Sequence, residues 1–319
     1  MIKARLHLLE LAFFLCIGLS SCSQPPDQSV FISFEATTPC SDEIKVMMSI
    51  PQTSNCEMIK WDLTIYKVSK KIGSDSFHLR YTYGLPKQGT RGFTNGAVTG
   101  ELKGKSISGK GINGNMKANT YTLITNDSAF SLSFFQPDDN LLHLLTPDKK
   151  LFVGNAAWSY TLNRKLPVPS SSNKHIPQAI SSPLLNSHTD TVGVFEGRTP
   201  CYHGLTELNE ISTDGCQLIK CQLILLQDAK TNNPADFVLH TVYVGKGNTK
   251  YRVTGKWKIM RGNPNDPAAI IFLLEFNTSK AKTPLMLSKA DDNILYILDH
   301  NSNFLVGNAY CSYTLNRDR

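Results

Sequence analysis

The chain has 319 residues, of which 41% are apolar and 18% are charged, and its formal net charge is +7. This is the composition of a folding polypeptide, so it excludes wholesale disorder, collagen and coiled coil, and the length suits about two domains. The only apolar run long enough to need a membrane test lies at the extreme N-terminus, which excludes a polytopic membrane protein.

Residues 1–21 are typical of an export signal that is removed by cleavage. Lys3 and Arg5 are followed by an apolar run from Leu8 to Leu19, which is too short for a stable spanning helix. Residues 19–22 (Leu-Ser-Ser-Cys) resemble the lipobox of bacterial lipoproteins. The resemblance implies cleavage before Cys22 and attachment of lipid, such as palmitate, at that cysteine. The alternative is an ordinary secretory signal in which Cys22 is incidental.

Residues 22–30 are polar and contain two prolines, as expected for a tether between an anchor and the first domain. The residue after Cys22 is Ser23 rather than Asp, which by resemblance to the enterobacterial sorting rule implies the outer membrane. An exported chain meets little nucleic acid, so the mild basic excess does not predict a nucleic-acid partner.

The strongest internal pattern is a duplication. Residues 138–164 align without a gap on residues 291–317, and 15 of these 27 positions are identical, including Val-Gly-Asn-Ala and Ser-Tyr-Thr-Leu-Asn-Arg. A period of about 155 residues is too long for a solenoid and predicts two tandem domains, residues 31–164 and 192–317. Residues 165–191 between them are rich in Pro and Ser, which favours a linker over a buried crossover.

Both copies carry the alternating pattern of β-strands. Apolar and polar side chains alternate over residues 59–65, and the same pattern recurs over residues 219–225. Residues 42–49 and 204–211 are poor strand formers and are predicted to form one short helix in each copy. Consecutive short strands without βαβ alternation predict a mainly β chain with one small antiparallel barrel or sandwich per copy.

Six cysteines remain when the one in the signal and the one at the lipid site are set aside, and an even number in an exported chain predicts disulfides. Cys40 and Cys56 enclose the first helical segment, and Cys201 and Cys216 enclose the second. We therefore predict one disulfide per domain, each closing a loop of about 16 residues and contributing about 3 kcal/mol. A metal or redox pair fits less well, because no Cys-x-x-Cys is present.

A third disulfide is predicted from the comparison of the two copies. Cys221 and Cys311 stand where the first copy has Trp61 and Trp158. Two matched exchanges suggest that the side chains meet, because early and late strands of a closed barrel must be adjacent. We therefore predict a Cys221–Cys311 bond, with Cα atoms within about 7 Å of each other.

Residues 193–201 (Gly-Val-Phe-Glu-Gly-Arg-Thr-Pro-Cys) resemble the start of the N-terminal domain of the NlpE family, which are copper-resistance and envelope-stress lipoproteins. Residues 291–295 (Asp-Asp-Asn-Ile-Leu) are similar to the family's Gly-Asp-Asn-x-Leu turn. The resemblance implies a lipocalin-like meander barrel, lipid anchoring and an envelope binding or sensing role. The family has Cys-x-x-Cys after the proline, whereas residues 201–204 lack the second cysteine, so its copper or redox chemistry is not implied.

The sequence predicts no enzyme, no cofactor and no metal site, because no nucleophile-and-base or metal-ligand constellation appears. The eight histidines are dispersed and are predicted to lie at the surface or in hairpins. Residues 84–117 hold six basic residues against the single acid Glu101. They could form a basic loop for an anionic glycan or lipid, although a solvated hairpin edge is the interpretation we favour.

We therefore expect a non-enzymatic envelope lipoprotein that binds or senses a small apolar ligand or an envelope protein, through a barrel mouth or a loop surface. The alternative is a structural spacer or subunit in an outer-membrane complex.

If Cys22 carries the lipid, Cys22→Ala should abolish incorporation of a palmitate analogue and release the protein from the membrane fraction, because each buried CH₂ contributes about 0.8 kcal/mol to anchoring. Metabolic labelling and cell fractionation measure the two effects. Cys16→Ala, within the signal, is the matched control and should change neither. Unchanged membrane retention of Cys22→Ala would exclude the anchor.

Overall fold

The computed structural model describes residues 30–67, 75–166, 189–202, 215–245, 247–263, 266–277 and 283–318. These residues form two closed antiparallel barrels of eight strands each, and in both barrels hydrogen-bonded neighbours follow chain order. The predicted fold class, two tandem antiparallel meander barrels, is confirmed. The export signal, Cys22 and most of the tether and linker lie outside the described residues.

Barrel 1 consists of β1 (Val30–Pro39), β2 (Met58–Lys67), β3 (Asp75–Gly84), β4 (Val98–Ile112), β5 (Asn115–Thr125), β6 (Ser131–Asp138), β7 (Leu141–Leu145) and β8 (Thr161–Arg164). Barrel 2 consists of β9 (Thr189–Thr199), β10 (Leu218–Asp228), β11 (Pro234–Val244), β12 (Thr249–Arg261), β13 (Ile270–Phe276), β14 (Leu285–Lys289), β15 (Ile294–Leu298) and β16 (Thr314–Arg317). Barrel 2 begins at Thr189 rather than at residue 192, because the first residues of β9 continue to pair with β10 beyond an irregularity in the register.

The interior of each barrel is filled by apolar side chains, which pack into one buried cluster per barrel. In barrel 1 the fully buried members include Leu63, Leu79, Leu123 and Phe134. In barrel 2 they include Leu223, Phe237, Leu274 and Ile297. An eight-stranded barrel has an interior just wide enough for side chains. The alternating residues read from the sequence therefore build two hydrophobic cores.

A short helix, α1 (Asp42–Met47), lies inside the first disulfide loop, as predicted. Ser41 caps it, since its side chain accepts a hydrogen bond from the backbone N–H of Ile44. Ile44 is fully buried in the barrel 1 cluster and fixes the helix against it. The second predicted helix, residues 204–211, lies outside the described residues. No helix in the described part of the chain is long and apolar enough to cross a membrane.

The two barrels are joined by two equivalent hydrogen bonds, in each of which a glycine of one copy contacts an asparagine of the other. Asn316 Oδ1 accepts from the N–H of Gly154 at 2.9 Å, and Asn163 Oδ1 accepts from the N–H of Gly307 at 2.8 Å. Both asparagines are buried. Their Nδ2 groups donate to backbone carbonyls of the opposite barrel, those of Asn155 and Asn308. Each barrel thus gives the other the same set of bonds that it receives.

Residues at the centre of this interface contact their own counterparts. The pairs are Ser159 and Ser312, with Oγ atoms 2.6 Å apart, Thr161 and Thr314, with Oγ1 atoms 2.9 Å apart, and His143 and Tyr296, with ring centroids 5.9 Å apart. Contact between equivalent residues is the property of an isologous interface around a twofold axis. The barrels therefore pack about a local twofold axis, and the two stretches of identical sequence form much of their contact.

Gly154 and Gly307 are required by the same geometry. A Cβ atom on Gly154 would lie 2.2 Å from the carbonyl oxygen of Trp158, and one on Gly307 would lie 2.1 Å from that of Cys311. Because backbone atoms cannot yield at such distances, a side chain here would push the Gly N–H away from its asparagine. This explains why both copies have glycine at this position.

We expect Asn163→Ala and Asn316→Ala each to lower the free energy of unfolding by about 1–3 kcal/mol, because each leaves a half-buried Gly N–H without its acceptor. Chemical denaturation measures the loss. Asn301→Ala, at an exposed turn of barrel 2, is the control and should lie within about 0.5 kcal/mol of the wild type. Equal stability of all three variants would contradict the role given to the asparagines.

His143 lies at the interface and is fully buried, so the surface position predicted for it is wrong. The carbonyl of Phe152 can only accept, so Nε2 donates to it at 2.8 Å, and Nδ1 accepts from Thr161 Oγ1 at 2.9 Å. Burial away from water lowers the pKa of His143 from 6.5 to about 4. The imidazole is therefore neutral at physiological pH and both of its nitrogens are engaged.

This burial predicts an acid-dependent loss of stability. Between pH 6.5 and about 4 the unfolded chain binds a proton that folded His143 cannot accept, so stability falls as the pH falls. The full loss is roughly 3 kcal/mol, and it is absent above pH 6.5. His143→Gln should flatten this part of the curve of unfolding free energy against pH, while His300→Gln, at an exposed turn, should leave it unchanged. A wild-type slope retained in His143→Gln would contradict the assignment.

Candidate anion-binding site between the barrels

A cleft with a volume of about 760 Å³ opens between the barrels. Barrel 1 lines it with parts of β1 and β2, the loop between β3 and β4, and Trp158, and barrel 2 lines it with parts of β9 and β10 and the segment before β16. We call this space the inter-barrel cleft. Its cationic side chains are Lys60, Lys87, Arg91, Arg198 and Lys220.

The charge of the inter-barrel cleft is of one sign. Among the residues that the structure describes, no Asp or Glu lines the cleft, and none of the five cations forms an ion pair. Glu35, on β1 outside the lining, is instead paired with Lys165 at 3.9 Å. Cations grouped without carboxylates produce a positive potential that attracts anions.

Arg198 lies deepest among these cations. It projects from β9 of barrel 2, and its guanidinium carbon is 5.6 Å from the centroid of the Trp158 ring of barrel 1. Burial lowers the pKa of Arg198 from its usual value, although the guanidinium stays charged at neutral pH. Its Nε is buried and has no hydrogen-bond partner among the residues that the structure describes. Such a group gains from an anionic acceptor, because an unpaired buried donor is costly.

A second group of cations surrounds Tyr310 at the opposite wall. Lys60 Nζ and Arg91 Cζ lie 5.1 Å and 4.5 Å from the centroid of the Tyr310 ring. Lys60 also donates to the backbone carbonyl of Arg91, and Arg91 donates to the carbonyl of Gln217 across the cleft at 3.4 Å. Burial and the charge of Arg91 lower the pKa of Lys60. Binding of an anion here would relieve the repulsion between these two cations.

The inter-barrel cleft follows the local twofold symmetry, since aligned residues of the two barrels line it from opposite sides. Lys60 and Lys220 are an aligned pair, because they lie opposite Thr37 and Arg198 in the matching strand pairs β1–β2 and β9–β10. Thr37 of barrel 1 donates to the carbonyl of Ala309 at 2.6 Å, while the aligned Arg198 stacks on Trp158. Lys60 and Lys220 therefore follow the local symmetry of the cleft, whereas Arg198 and Trp158 do not.

The aromatic and apolar side chains of the cleft give it a second chemical property. They are Met58, Pro86, Trp158, Leu218, Val244 and Tyr310. A cleft that combines cations with aromatic rings can hold an anionic group together with an apolar or aromatic portion, since pockets gain affinity from apolar contact and orientation from a few polar groups.

The structure contains the two predicted loop disulfides. Cys40 and Cys56 are bonded with Cα atoms 5.7 Å apart, and Cys201 and Cys216 with Cα atoms 6.0 Å apart. In the described residues no group of three His, Cys, Asp or Glu side chains could hold a metal ion. Cys22 and residues 203–214, which follow the family-like segment, lie outside the described residues.

The predicted Cys221–Cys311 disulfide is wrong, since both cysteines are free and buried in the structure. The strands assumed to be adjacent are separated, because β9 lies between β10 and β16. Cys221 is opposite Gly197 of β9, and its thiol donates to the Gly197 carbonyl at 3.4 Å. Burial raises the pKa of Cys221 to about 12 and that of Cys311 to about 11. Both thiols are therefore protonated at neutral pH.

The two tryptophans of the first copy have separate partners. Trp61 is opposite Ala36 inside barrel 1, where its Nε1 donates to Thr38 Oγ1 at 2.8 Å. Trp158 instead points into the inter-barrel cleft and contacts Arg198 of the other barrel. The matched Trp-to-Cys exchanges thus reflect two different environments rather than one contact.

Sequence reasoning missed the inter-barrel cleft as a site. Lys87 and Arg91 belong to the basic stretch 84–117, for which a solvated hairpin edge was favoured, and both residues line the cleft. Arg198 belongs to the family-like segment 193–201, but the sequence pattern there gives it no functional role. The pattern that could have indicated the site is the aligned lysine pair, Lys60 and Lys220, next to Arg198, which stands where the first copy has Thr37.

Comparison with known proteins adds no relative, since no family model, no curated protein and no solved structure matches the chain.

Proposed function

We propose that this protein is a non-enzymatic, lipid-anchored lipoprotein of the bacterial cell envelope, held in the outer membrane by Cys22, and that its two barrels together bind a small anionic ligand with an apolar or aromatic portion. The observation that carries the binding role is the inter-barrel cleft, whose described lining residues include five cations and no carboxylate. The likeness to NlpE lipoproteins in residues 193–201 and 291–295 supports an envelope sensing role.

The cations suit a carboxylate or phosphate ligand. An arginine presents a planar fork of donors that matches such groups in two parallel hydrogen bonds, and charge-assisted bonds are about twice as strong as neutral ones. Arg198 lies against the Trp158 ring, and its buried Nε has no hydrogen-bond partner among the described residues, so an anionic acceptor would satisfy it. Trp158 and Tyr310 would contact the apolar portion of the ligand.

Binding is favoured over catalysis by the protonation states of the nearby groups. Cys311, the thiol that lines the cleft, has a pKa raised to about 11 by burial. A nucleophilic thiol needs a lowered pKa, because the thiolate is the reactive form. His143 is buried at the interface with both nitrogens engaged, so it is not available as a general base.

The alternative role, a structural spacer in an outer-membrane complex, is favoured by one observation, the hydrogen-bonded interface that fixes the two barrels together. Native mass spectrometry of protein purified from membranes separates the two roles. A stoichiometric small anion on the protein supports the binding role, and a defined protein complex without one supports the spacer.

The binding role predicts that 1-naphthyl phosphate, a dianion on an aromatic ring, binds to the full chain in non-ionic detergent with one site. Arg198→Met should weaken this binding at least about tenfold, the equivalent of about 1.4 kcal/mol, because it removes the central charge of the cleft. Isothermal titration calorimetry measures the dissociation constant.

Two controls accompany this measurement. Arg261→Met, at an exposed position of β12, should bind like the wild type, and 1-naphthol, which lacks the phosphate, should bind more weakly than 1-naphthyl phosphate. Equal affinity of Arg198→Met and Arg261→Met would contradict the proposed site.

A further inference from the structure

The end of barrel 1 at which β1 begins carries exposed apolar side chains. Val30, Phe31, Tyr66 and Leu166 are 61%, 64%, 38% and 49% exposed. We call these four residues the rim patch. Large apolar side chains that are exposed singly are common, but a group of them at one edge marks an interaction surface.

The strand register brings the rim patch together. Phe31 pairs directly with Tyr66 across β1 and β2, and Val30 occupies the last pair of this ladder, opposite Lys67. Leu166 follows β8 on the other side of β1, where the N–H of Lys165 donates to the carbonyl of Ser33 at 2.8 Å. All four side chains therefore lie at the same end of barrel 1.

The position of the rim patch in the chain identifies its partner. Val30 is eight residue steps beyond Cys22, and an extended chain spans at most about 3.6 Å per residue, so the patch lies within about 30 Å of Cys22. If lipid is attached at Cys22, the rim patch is the first part of the folded chain to reach the bilayer. This step rests on the lipid anchor of the proposed function.

We propose that the rim patch rests on the lipid bilayer, with Phe31 and Tyr66 inserted into the interface between head groups and acyl chains. Aromatic side chains favour that interface, and amphipathic surfaces insert to a depth of about 5–10 Å. We call this contact with the bilayer the seat. It is a second attachment to the membrane besides the acyl chains at Cys22, and it fixes the orientation of barrel 1.

This orientation has a consequence for the inter-barrel cleft. Thr37, which lines the cleft, lies on β1 seven residues beyond Val30, and a strand advances about 3.3 Å per residue. The cleft therefore lies about 23 Å along the strand from the rim patch. Its ligand enters from the aqueous side of the envelope rather than directly from the bilayer that holds the anchor.

Site-directed spin labelling of the full chain, produced with its own residues 1–21 and mixed with phospholipid vesicles, tests the proposed contact with the bilayer. Nitroxides are attached to Phe31→Cys, to Gln88→Cys in the exposed loop at the cleft, and to Ile259→Cys, an exposed apolar position of β12 in barrel 2. Relaxation by oxygen, which concentrates in lipid, is compared with relaxation by a water-soluble nickel chelate. Unsubstituted protein, whose two free thiols are buried, gives the background labelling.

We expect the ratio of oxygen to nickel accessibility to be several times higher at Phe31→Cys than at Gln88→Cys and Ile259→Cys. Leu166→Cys provides a second probe of the rim patch and should give the same result if Phe31→Cys misfolds. A water-like ratio at both rim positions, or an equally high ratio at Ile259→Cys, would overturn the proposed seat.

Vesicle flotation of the same samples separates this proposal from the anchor on which it rests. Protein that floats with the vesicles but has a water-like ratio at the rim retains the anchor and lacks the seat. Protein that does not float lacks the anchor itself, which overturns the lipoprotein proposal and the seat with it.

Discussion

The architecture depends on a hydrogen bond from each barrel's glycine N–H to an asparagine of the other barrel. Gly154 and Gly307 have no Cβ, so the amides of Asn316 and Asn163 can approach the backbone and satisfy it. A net hydrogen bond is worth only about 1 kcal/mol, but an unpaired buried donor costs more, so the reciprocal set favours one relative placement of the barrels strongly. The inter-barrel cleft exists only in that placement, because its two walls belong to different barrels.

A twofold interface also explains how two similar barrels produce one site rather than two. Residues close to the axis contact their own counterparts, but the two copies are separate segments of one chain, so a change in one copy alters only one side of that contact. At the cleft both copies have a lysine, Lys60 or Lys220. They differ at two aligned positions: barrel 1 has Thr37 where barrel 2 has Arg198, and barrel 1 has Trp158 where barrel 2 has Cys311. These two differences contact each other across the barrels, since Arg198 stacks on Trp158. The difference between the copies has therefore brought a cation of one barrel against an aromatic ring of the other.

Local patterns were sufficient to predict the barrels, because alternation of apolar side chains and the spacing of Cys40 with Cys56 are properties of short segments. The inter-barrel cleft depends on packing between segments far apart in the chain, and no local period reports it. The Cys221–Cys311 prediction failed for the same reason. It treated a matched exchange as one contact within a barrel, whereas β9 separates the two strands and Trp158 points to the other barrel. The burial of His143 was not predicted, because the leucines on either side of it do not indicate that the second barrel covers this position.

Ligand binding and protonation would act on the same interface in opposite directions. A ligand that contacts both barrels stabilises their association through its binding free energy, about 2.7 kcal/mol at a concentration one hundred times its dissociation constant. Protonation of His143 at low pH opposes the interface by a similar amount, since its pKa is lowered to about 4. The two terms are close in size, so an anion in the proposed site would offset the effect of acid.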